Sequence, residues 1–137
     1  MSADLPPVGR DRASAFVAAS GFAPTEISGT RVAGHVEVDP SHHTPWGVVH
    51  GGVYATAIES ACSIGASVAV AEQGMFAVGL SNQTDFLRAH RSGELRVTAT
   101  PVHQGRTQQL WQCDITRDDG KLVARGQVRL QNVPLER

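Results

Sequence analysis

The sequence has little of several features that would point to particular classes of protein. Its 137 residues include only two cysteines, Cys62 and Cys113, and neither has a CxxC or zinc-site spacing. We therefore expect reduced, partly buried thiols and a cytoplasmic location. A formal net charge of −1 excludes a general electrostatic case for nucleic-acid binding. The N-terminal stretch MSADLPPVGRDR has no apolar core of the kind that signal peptides carry.

Motifs of several enzyme and cofactor-binding families are also missing. No G-x-S-x-G elbow occurs, which argues against a serine hydrolase. Neither G-x-G-x-x-G nor a P-loop pattern occurs, which excludes the common nucleotide-cofactor folds. Four candidate metal ligands lie close in sequence, but without H-x3-H or HExxH spacing: His42, His43, His50 and Glu59. This spacing argues against a metal site.

The composition is that of an ordinary globular domain, with 41% apolar and 18% charged residues. We predict a single domain over residues 1–137, with loose ends at about 1–9 and 133–137. Residues 53–71 are nearly free of charge, but this run is rich in Ala, Ser and Thr and contains Glu59. Such a run inserts poorly into a membrane, so we expect a buried helix and no membrane association.

Hydrophobic periodicity predicts two helices, at residues 10–20 and 52–72. In the first helix Ala13, Phe16 and Val17 share one side, and Gly21 is the stop. Alternation predicts strands at residues 30–38, 75–87, 94–102, 107–116 and 122–130, with a two-residue hairpin turn at Asp119-Gly120. The last four strands mostly suggest a meander. The predicted fold is α+β, an antiparallel sheet wrapped around one long central helix, because the strands' apolar faces and the helix must cover each other.

Glu59 is an acid inside that otherwise apolar helix. It shares one helical stripe with Ala55 and Ser63, because residues four apart lie on the same face. A buried carboxylate must lose its charge or find partners. Glu59 therefore either reaches an edge and pairs with an arginine, or borders a cleft and takes part in chemistry.

The start of the long helix is a second candidate feature. His50, Gly51 and Gly52 place unpaired backbone N–H groups at a helix N-terminus, where glycine allows close approach of another group. This geometry suits an anion or a developing oxyanion, although glycine-rich helix starts are also common without function.

The spacing of these two features indicates a site shared between chains. Gly51 and Glu59 are eight residues apart, or roughly 12 Å along a helix. One reacting carbonyl cannot contact both, but two antiparallel helices related by a twofold axis could each supply one group. We therefore predict a C2 dimer with two interfacial sites.

The stretches GVVHGGVYATAIESACS and AVGLSNQTDFLRAHRSGELRVTATPVHQGRTQQLWQCDITRDDGKLVARGQ resemble hotdog-fold acyl-CoA thioesterases, over roughly residues 25–132. The branch they are most similar to contains hydroxybenzoyl-CoA, phenylacetyl-type and dihydroxynaphthoyl-CoA thioesterases. The resemblance implies that Glu59 is the nucleophile or general base and that Gly51 offers its N–H to the thioester oxygen. It places a helping hydroxyl at Ser63 and a nearby histidine at His50. Thr44 stands where family members keep Gln or Asn.

The resemblance also implies an acyl-CoA substrate, of the aroyl-CoA or a related class, and a tetramer of two dimers. It implies hydrolysis without a metal or organic cofactor, since CoA is part of the substrate. Candidate substrate-binding residues are Gly52, Phe86, Arg88, His90, Arg91, Gly105, Arg106 and Thr107, and candidate acyl-pocket residues also include Trp46, Tyr54, Val68 and Met75. Cations are expected because CoA carries phosphates. Two alternatives of the same fold stay open: a hydratase or dehydratase using His50 with an acid, and a non-catalytic acyl-CoA-binding protein.

Overall fold

The computed structural model describes residues 14–135, which begin with a short helix that ends at a glycine. Helix α1 spans Ala15–Ser20, with the Ser14 hydroxyl accepting a hydrogen bond from the Val17 N–H at 3.3 Å. Gly21 ends α1 in the left-handed region at φ 80°, as predicted. The rest of the predicted helix, residues 10–13, lies outside the described residues. Phe16 is 73% exposed, so the predicted apolar side of this helix is not buried.

Six antiparallel strands form one sheet in the order β1-β2-β4-β5-β6-β3. Their bounds are β1 Phe22–Ile27, β2 Val32–Val38, β3 Met75–Phe86, β4 Gly93–Gln104, β5 Gln108–Thr116 and β6 Leu122–Pro134. The predicted meander holds only for β4, β5 and β6. Strand β3 pairs with β6 and forms an edge of the sheet. Strand β1 was not predicted, because only its first two residues are buried and Pro24 interrupts its pattern.

Helix α2, Gly51–Val70, lies across the inner face of the sheet and confirms the predicted central helix. It continues as a 3-10 turn, Ala71–Gln73, and the chain then leaves the helix at Gly74, where φ is 73°. By length and composition the stretch Gly51–Gln73 could cross a membrane, but 44% of its most apolar window is buried inside this fold. The whole is the hotdog arrangement of a sheet around one helix.

The core between α2 and the sheet contains both cysteines. Cys62 and Cys113 are free and fully buried, deeper than the partial burial that we expected. A hydrogen bond between the two thiols and the burial of the pair raise the pKa of the Cys62 thiol. Both therefore behave as small apolar core residues rather than as reactive thiols.

Two chain segments differ from the sequence prediction. The β5–β6 turn is centred on Asp118 and Asp119, with the Gly120 N–H donating to the Arg117 carbonyl at 2.9 Å and Gly120 following at φ 83°. The turn is thus one residue longer than the predicted pair, because the Asp119 carboxylate accepts the Lys121 N–H at 3.0 Å. The tail also differs. Residues 133 and 134 pair with Phe76 and Met75, so they are not loose.

Candidate active site

The start of α2 leaves one backbone donor free. The His50 Nδ1 accepts a hydrogen bond from the Gly52 N–H at 2.8 Å, and the His50 carbonyl accepts one from Val53 at 3.0 Å. The Gly51 N–H, between them, has no acceptor within residues 14–135. His50 therefore caps the helix, and Gly51 presents its N–H at the positive end of the helix dipole. Gly52 is exposed, with its own N–H engaged by His50.

The loop before α2 is held by short backbone contacts. The Thr44 hydroxyl accepts a hydrogen bond from the Trp46 N–H at 3.3 Å, and its carbonyl accepts one from Gly47 at 3.0 Å. The Thr44 side chain thus closes its own turn. This differs from the role expected of the Gln or Asn that family members keep at this position, whose amide would reach the thioester. The loop is tied to the chain after β3, since Val49 donates to the His90 carbonyl at 2.9 Å.

Glu59 lies in the third turn of α2, half-buried and facing the edge strand β3. The Asn82 Nδ2 donates a hydrogen bond to Glu59 Oε1 at 3.1 Å. The second oxygen, Oε2, lies over Gly79, where a Cβ would clash with it. No arginine forms an ion pair with Glu59 among residues 14–135. Of the two interpretations, pairing with an arginine is thus not found among the described residues, and Glu59 has one oxygen held by Asn82 and the other lying against Gly79.

A short relay from β3 fixes the amide that holds Glu59. The Thr84 hydroxyl donates to Asn82 Oδ1 at 2.6 Å, while Asn82 Nδ2 also donates to the Ala55 carbonyl at 3.2 Å. These contacts define one orientation of the Asn82 amide. Asn82 and Thr84 were not predicted from the sequence, because within a strand they are ordinary polar residues and their partners lie in α2.

Ser63 follows Glu59 by one helical turn. It is half-buried, and its hydroxyl makes no hydrogen bond in the described part of the chain. The role of a helping hydroxyl, which the resemblance implies for Ser63, stays a prediction. A cluster of three or more His, Cys, Asp or Glu residues that could hold a metal ion does not occur in residues 14–135.

A cleft of about 270 Å³ opens beside the free Gly51 N–H. We call it the oxyanion cleft, and it is lined by Val49, Gly51, Tyr54, Phe86 and Arg88 among others. A Cβ on Gly51 would clash with the Phe86 ring, so the glycine allows that ring to lie against the helix start. The rings of Tyr54 and Phe86 are 5.8 Å apart and tilted by 46°. Phe86 was predicted to bind substrate, and the structure places it in this cleft.

The residues that were predicted to bind CoA fall into two groups. One group lies near the start of α2: Arg88 donates to the Leu122 carbonyl at 2.6 Å, Arg91 donates to the Gly47 carbonyl at 3.2 Å, and His90 lies between them in sequence. The other group lies at the far end, where Gly105 and Arg106 line a second cleft of about 380 Å³ with Ala69, Val70 and Gln73.

The length of α2 separates these two groups within one chain. Its 20 residues correspond to about 30 Å. Thr107 belongs to the far group, since its carbonyl accepts the Asn132 N–H at 2.8 Å. The chain by itself therefore does not bring together the residues that were predicted to bind one nucleotide.

Comparisons with known proteins identify the family of the chain. The family model of the thioesterase superfamily matches residues 47–124, a range that includes both Gly51 and Glu59. A protein of Mycobacterium tuberculosis named "Putative esterase" is 45% identical over 111 residues, which cover 80% of this chain and 79% of that protein. Its solved structure has a TM-score of 0.86 and covers 90% of this chain and 100% of its own.

Two further relatives have more specific names. A 1,4-dihydroxy-2-naphthoyl-CoA hydrolase of Listeria monocytogenes is 34% identical over 88 residues, which cover 64% of this chain and 71% of that protein. The structure of a thioesterase from Haemophilus influenzae is 30% identical with a TM-score of 0.84, and the match covers 91% of this chain and 87% of that one.

Proposed function

This chain belongs to the thioesterase superfamily and is a thioester hydrolase, and from that premise we propose that it cleaves an acyl-CoA, of the aroyl-CoA class, to the free acid and CoA. The name of the Listeria relative supports the choice of an aromatic acyl group. We further propose that the enzyme works in the cytoplasm, as a tetramer of two dimers, without a metal or organic cofactor.

The observation that carries the proposal is the placement of two groups on α2. A free N–H at Gly51 and a carboxylate held at Glu59 are eight residues apart, and both face β3. At roughly 12 Å separation they cannot act on one carbonyl from the same chain. A second copy with its α2 antiparallel would set the partner's Glu59 beside Gly51.

The edge strand β3 supports such a dimer. It is the last strand of the sheet, and its outer backbone groups are unpaired among the described residues. Exposed edges with apolar side chains favour pairing with another chain. Val78 and Leu80 on this strand are 40% and 53% exposed.

The same antiparallel arrangement would also join the two groups of cations. The far end of one α2 would lie near the start of the other, so that Arg106 and Thr107 of one chain approach Arg88 and Arg91 of the other. The CoA phosphates could then be bound by both chains. Such a dimer would account for the separation of about 30 Å between the predicted nucleotide-binding residues of a single chain.

The chemistry follows two balanced routes. In the first, Glu59 Oε2 attacks the thioester carbon, CoA leaves as the thiolate, and water hydrolyses the resulting mixed anhydride. In the second, Glu59 removes a proton from water, the hydroxide attacks the carbon, and the proton passes to the departing thiolate. In both routes the Gly51 N–H stabilises the oxyanion, and Asn82 keeps the carboxylate in place.

Glu59→Gln tests the assignment, because it keeps the side chain's size and removes its nucleophilic and basic character. We expect release of free thiol from benzoyl-CoA to fall by about 1,000-fold or more, as for loss of a catalytic group. The oligomer should stay intact in sedimentation. Unchanged turnover in a folded variant would contradict the role of Glu59, and binding of benzoyl-CoA without thiol release by the wild type would favour a non-catalytic protein.

A further inference from the structure

Tyr54 has a buried hydroxyl without a partner. The residue is 3% exposed, and its Oη is the one buried side-chain polar atom in residues 14–135 that lacks a hydrogen bond. Burial raises the pKa of the phenol to about 12, so the group is a neutral donor at physiological pH. An unpaired buried hydroxyl is costly, which makes it unusual in a core that otherwise satisfies its polar atoms.

Other buried polar side chains in the described residues do have hydrogen-bond partners. The buried Gln109 donates to the Ala66 carbonyl at 3.0 Å and accepts the Trp111 indole N–H at 2.8 Å. Asn132, also buried, is bonded to Gln109 and to two backbone carbonyls. Among the buried polar side chains of the described residues, Tyr54 alone faces no protein partner, and it is the one that lines the oxyanion cleft.

The position of Tyr54 relates it to the acyl group. It follows Gly51 by three residues, so both lie on one side of α2. A thioester whose carbonyl oxygen accepts the Gly51 N–H has its acyl group attached directly to that carbonyl. The space that borders both residues is the oxyanion cleft of about 270 Å³, whose wall is largely apolar and aromatic.

We propose that Tyr54 is a specificity-determining residue whose hydroxyl pairs with an oxygen substituent, such as a ring hydroxyl, on the acyl group. The proposal rests on the proposed function, since it places the thioester at Gly51. Phe86 lines the same cleft, 57% exposed, with its ring 5.8 Å from that of Tyr54.

A selectivity measurement with Tyr54→Phe tests this role, because the substitution removes only the hydroxyl oxygen. The probes are benzoyl-CoA and its 2-, 3- and 4-hydroxy derivatives. For the wild type we expect kcat/KM to be about 10–100-fold higher for at least one hydroxylated ester than for benzoyl-CoA. In Tyr54→Phe that ratio should fall to about 1. A ratio that stays the same in the variant overturns the proposal.

Phe86→Leu is the matched control, since it alters the wall of the cleft without touching the hydroxyl. We expect it to lower turnover of all four esters together and to keep the wild-type ratio. Tyr54→Phe should also raise the Tm of the ligand-free protein, because it removes an unpaired buried hydroxyl. If Tyr54 had only a structural role, Tyr54→Phe would change neither the ratio of kcat/KM values nor its dependence on the position of the ring hydroxyl.

A binding experiment separates failure of this proposal from failure of the proposed function. Tyr54 is the only tyrosine of the chain, so labelling with ¹³C-tyrosine gives one ring Cζ signal. In Glu59→Gln we expect this signal to shift with the preferred hydroxybenzoyl-CoA and to shift much less with benzoyl-CoA. Equal shifts overturn the role of Tyr54, even if hydrolysis is confirmed. Absence of hydrolysis in the wild type would contradict the proposed function, while the Cζ signal would still report on Tyr54.

Discussion

Two glycines leave room for the groups on which the proposed chemistry depends. Gly79 on β3 accommodates the Glu59 carboxylate, and Gly51 accommodates the Phe86 ring beside its own free N–H. Neither glycine has a positive φ, so what matters at both positions is the missing side chain rather than an unusual backbone conformation. At the residue scale, a single methyl group added at either position would displace the neighbouring side chain.

Gly79→Ala tests the placement of the carboxylate. The added methyl group would occupy the position of Glu59 Oε2, and the flexible side chain would turn away. We expect kcat for benzoyl-CoA to fall by about 100-fold, as for a misplacement of about 1 Å. The Tm should change little, because only the end of a half-buried side chain moves. Ser81→Ala, two residues along the same strand, is the control; equal effects of the two variants would contradict the prediction.

The phenol of Tyr54 predicts a loss of stability at high pH. Burial raises its pKa from 10.0 to about 12 in the folded protein. Between these values the unfolded chain releases the proton and the folded chain keeps it, so the stability contribution is present below pH 10 and lost as pH rises towards 12. The full loss is about 3 kcal/mol, of which about 2 kcal/mol is reached by about pH 11.5. Urea denaturation of the wild type and Tyr54→Phe between about pH 8 and pH 11.5 measures the difference; parallel curves would refute it.

At the scale of elements, α2 lies against the sheet because small residues face the largest core side chain. Gly65 meets the Trp111 ring, where a Cβ would clash. Trp111 is fully buried and its indole N–H is bonded to Gln109 at 2.8 Å, so the ring cannot move aside without breaking that bond. This contact brings α2 close to the sheet at Gly65.

Gly65→Ala should therefore destabilise the protein although alanine favours helices. The gain in helix propensity is about 1 kcal/mol, whereas overpacking of a buried site typically costs about 1–3 kcal/mol. We expect the cost of overpacking to exceed the gain in helix propensity because the neighbouring ring is fixed, so the urea midpoint should fall. Ser60→Ala, at a half-exposed position of the same helix, should leave the midpoint unchanged or raise it. A Gly65→Ala protein as stable as the wild type would show that the core relaxes.

At the scale of the whole molecule, the proposed site requires two chains. One chain separates Gly51 from Glu59 by eight residues, and it separates the two groups of cations by the length of α2. Both separations are removed by one operation, a twofold axis that sets the two helices antiparallel. A shared site makes a quantitative prediction for mixed dimers.

Gly51→Pro and Glu59→Gln should complement each other in a mixed dimer. Proline is tolerated at the first helical residue and removes the N–H, and His50 already has the extended conformation that precedes proline. Each variant alone should lose about 100-fold or more of its thioesterase activity. The mixed dimer contains one site with neither substitution, so it should recover about half of the wild-type activity. Two differently tagged chains, co-expressed and purified in series, provide the sample.

Gly51→Ala is the matched control for that experiment, because it adds the same Cβ against Phe86 but keeps the N–H. Its homodimer should keep much more activity than Gly51→Pro. Absence of recovery in the mixed dimer, with both chains present by mass spectrometry, would show that each chain carries its own complete site.

The central helix and five of the six strands could be predicted because they depend on local spacing. Alternation in β5 places Trp111, Cys113 and Ile115 on the buried face, and all three are fully buried. Similarly, the apolar run after His50 indicated a central helix, and α2 spans Gly51–Val70. The two candidate groups on that helix, Gly51 and Glu59, were also recognisable, since a helix start and a lone acid are local features.

Strand order and the partners of Glu59 could not be predicted, because they depend on contacts between residues distant in sequence. Asn82 lies 23 residues beyond Glu59 and reaches it only because β3 pairs with β6 at the sheet edge rather than within the meander. The sequence by itself thus determined the central helix, five of the six strands and the positions of Gly51 and Glu59, through periodicity that acts within a few residues. Only the tertiary structure decided which strand Glu59 faces, which oxygen Asn82 holds and where the Tyr54 hydroxyl is buried, because those contacts arise from packing across the whole sheet.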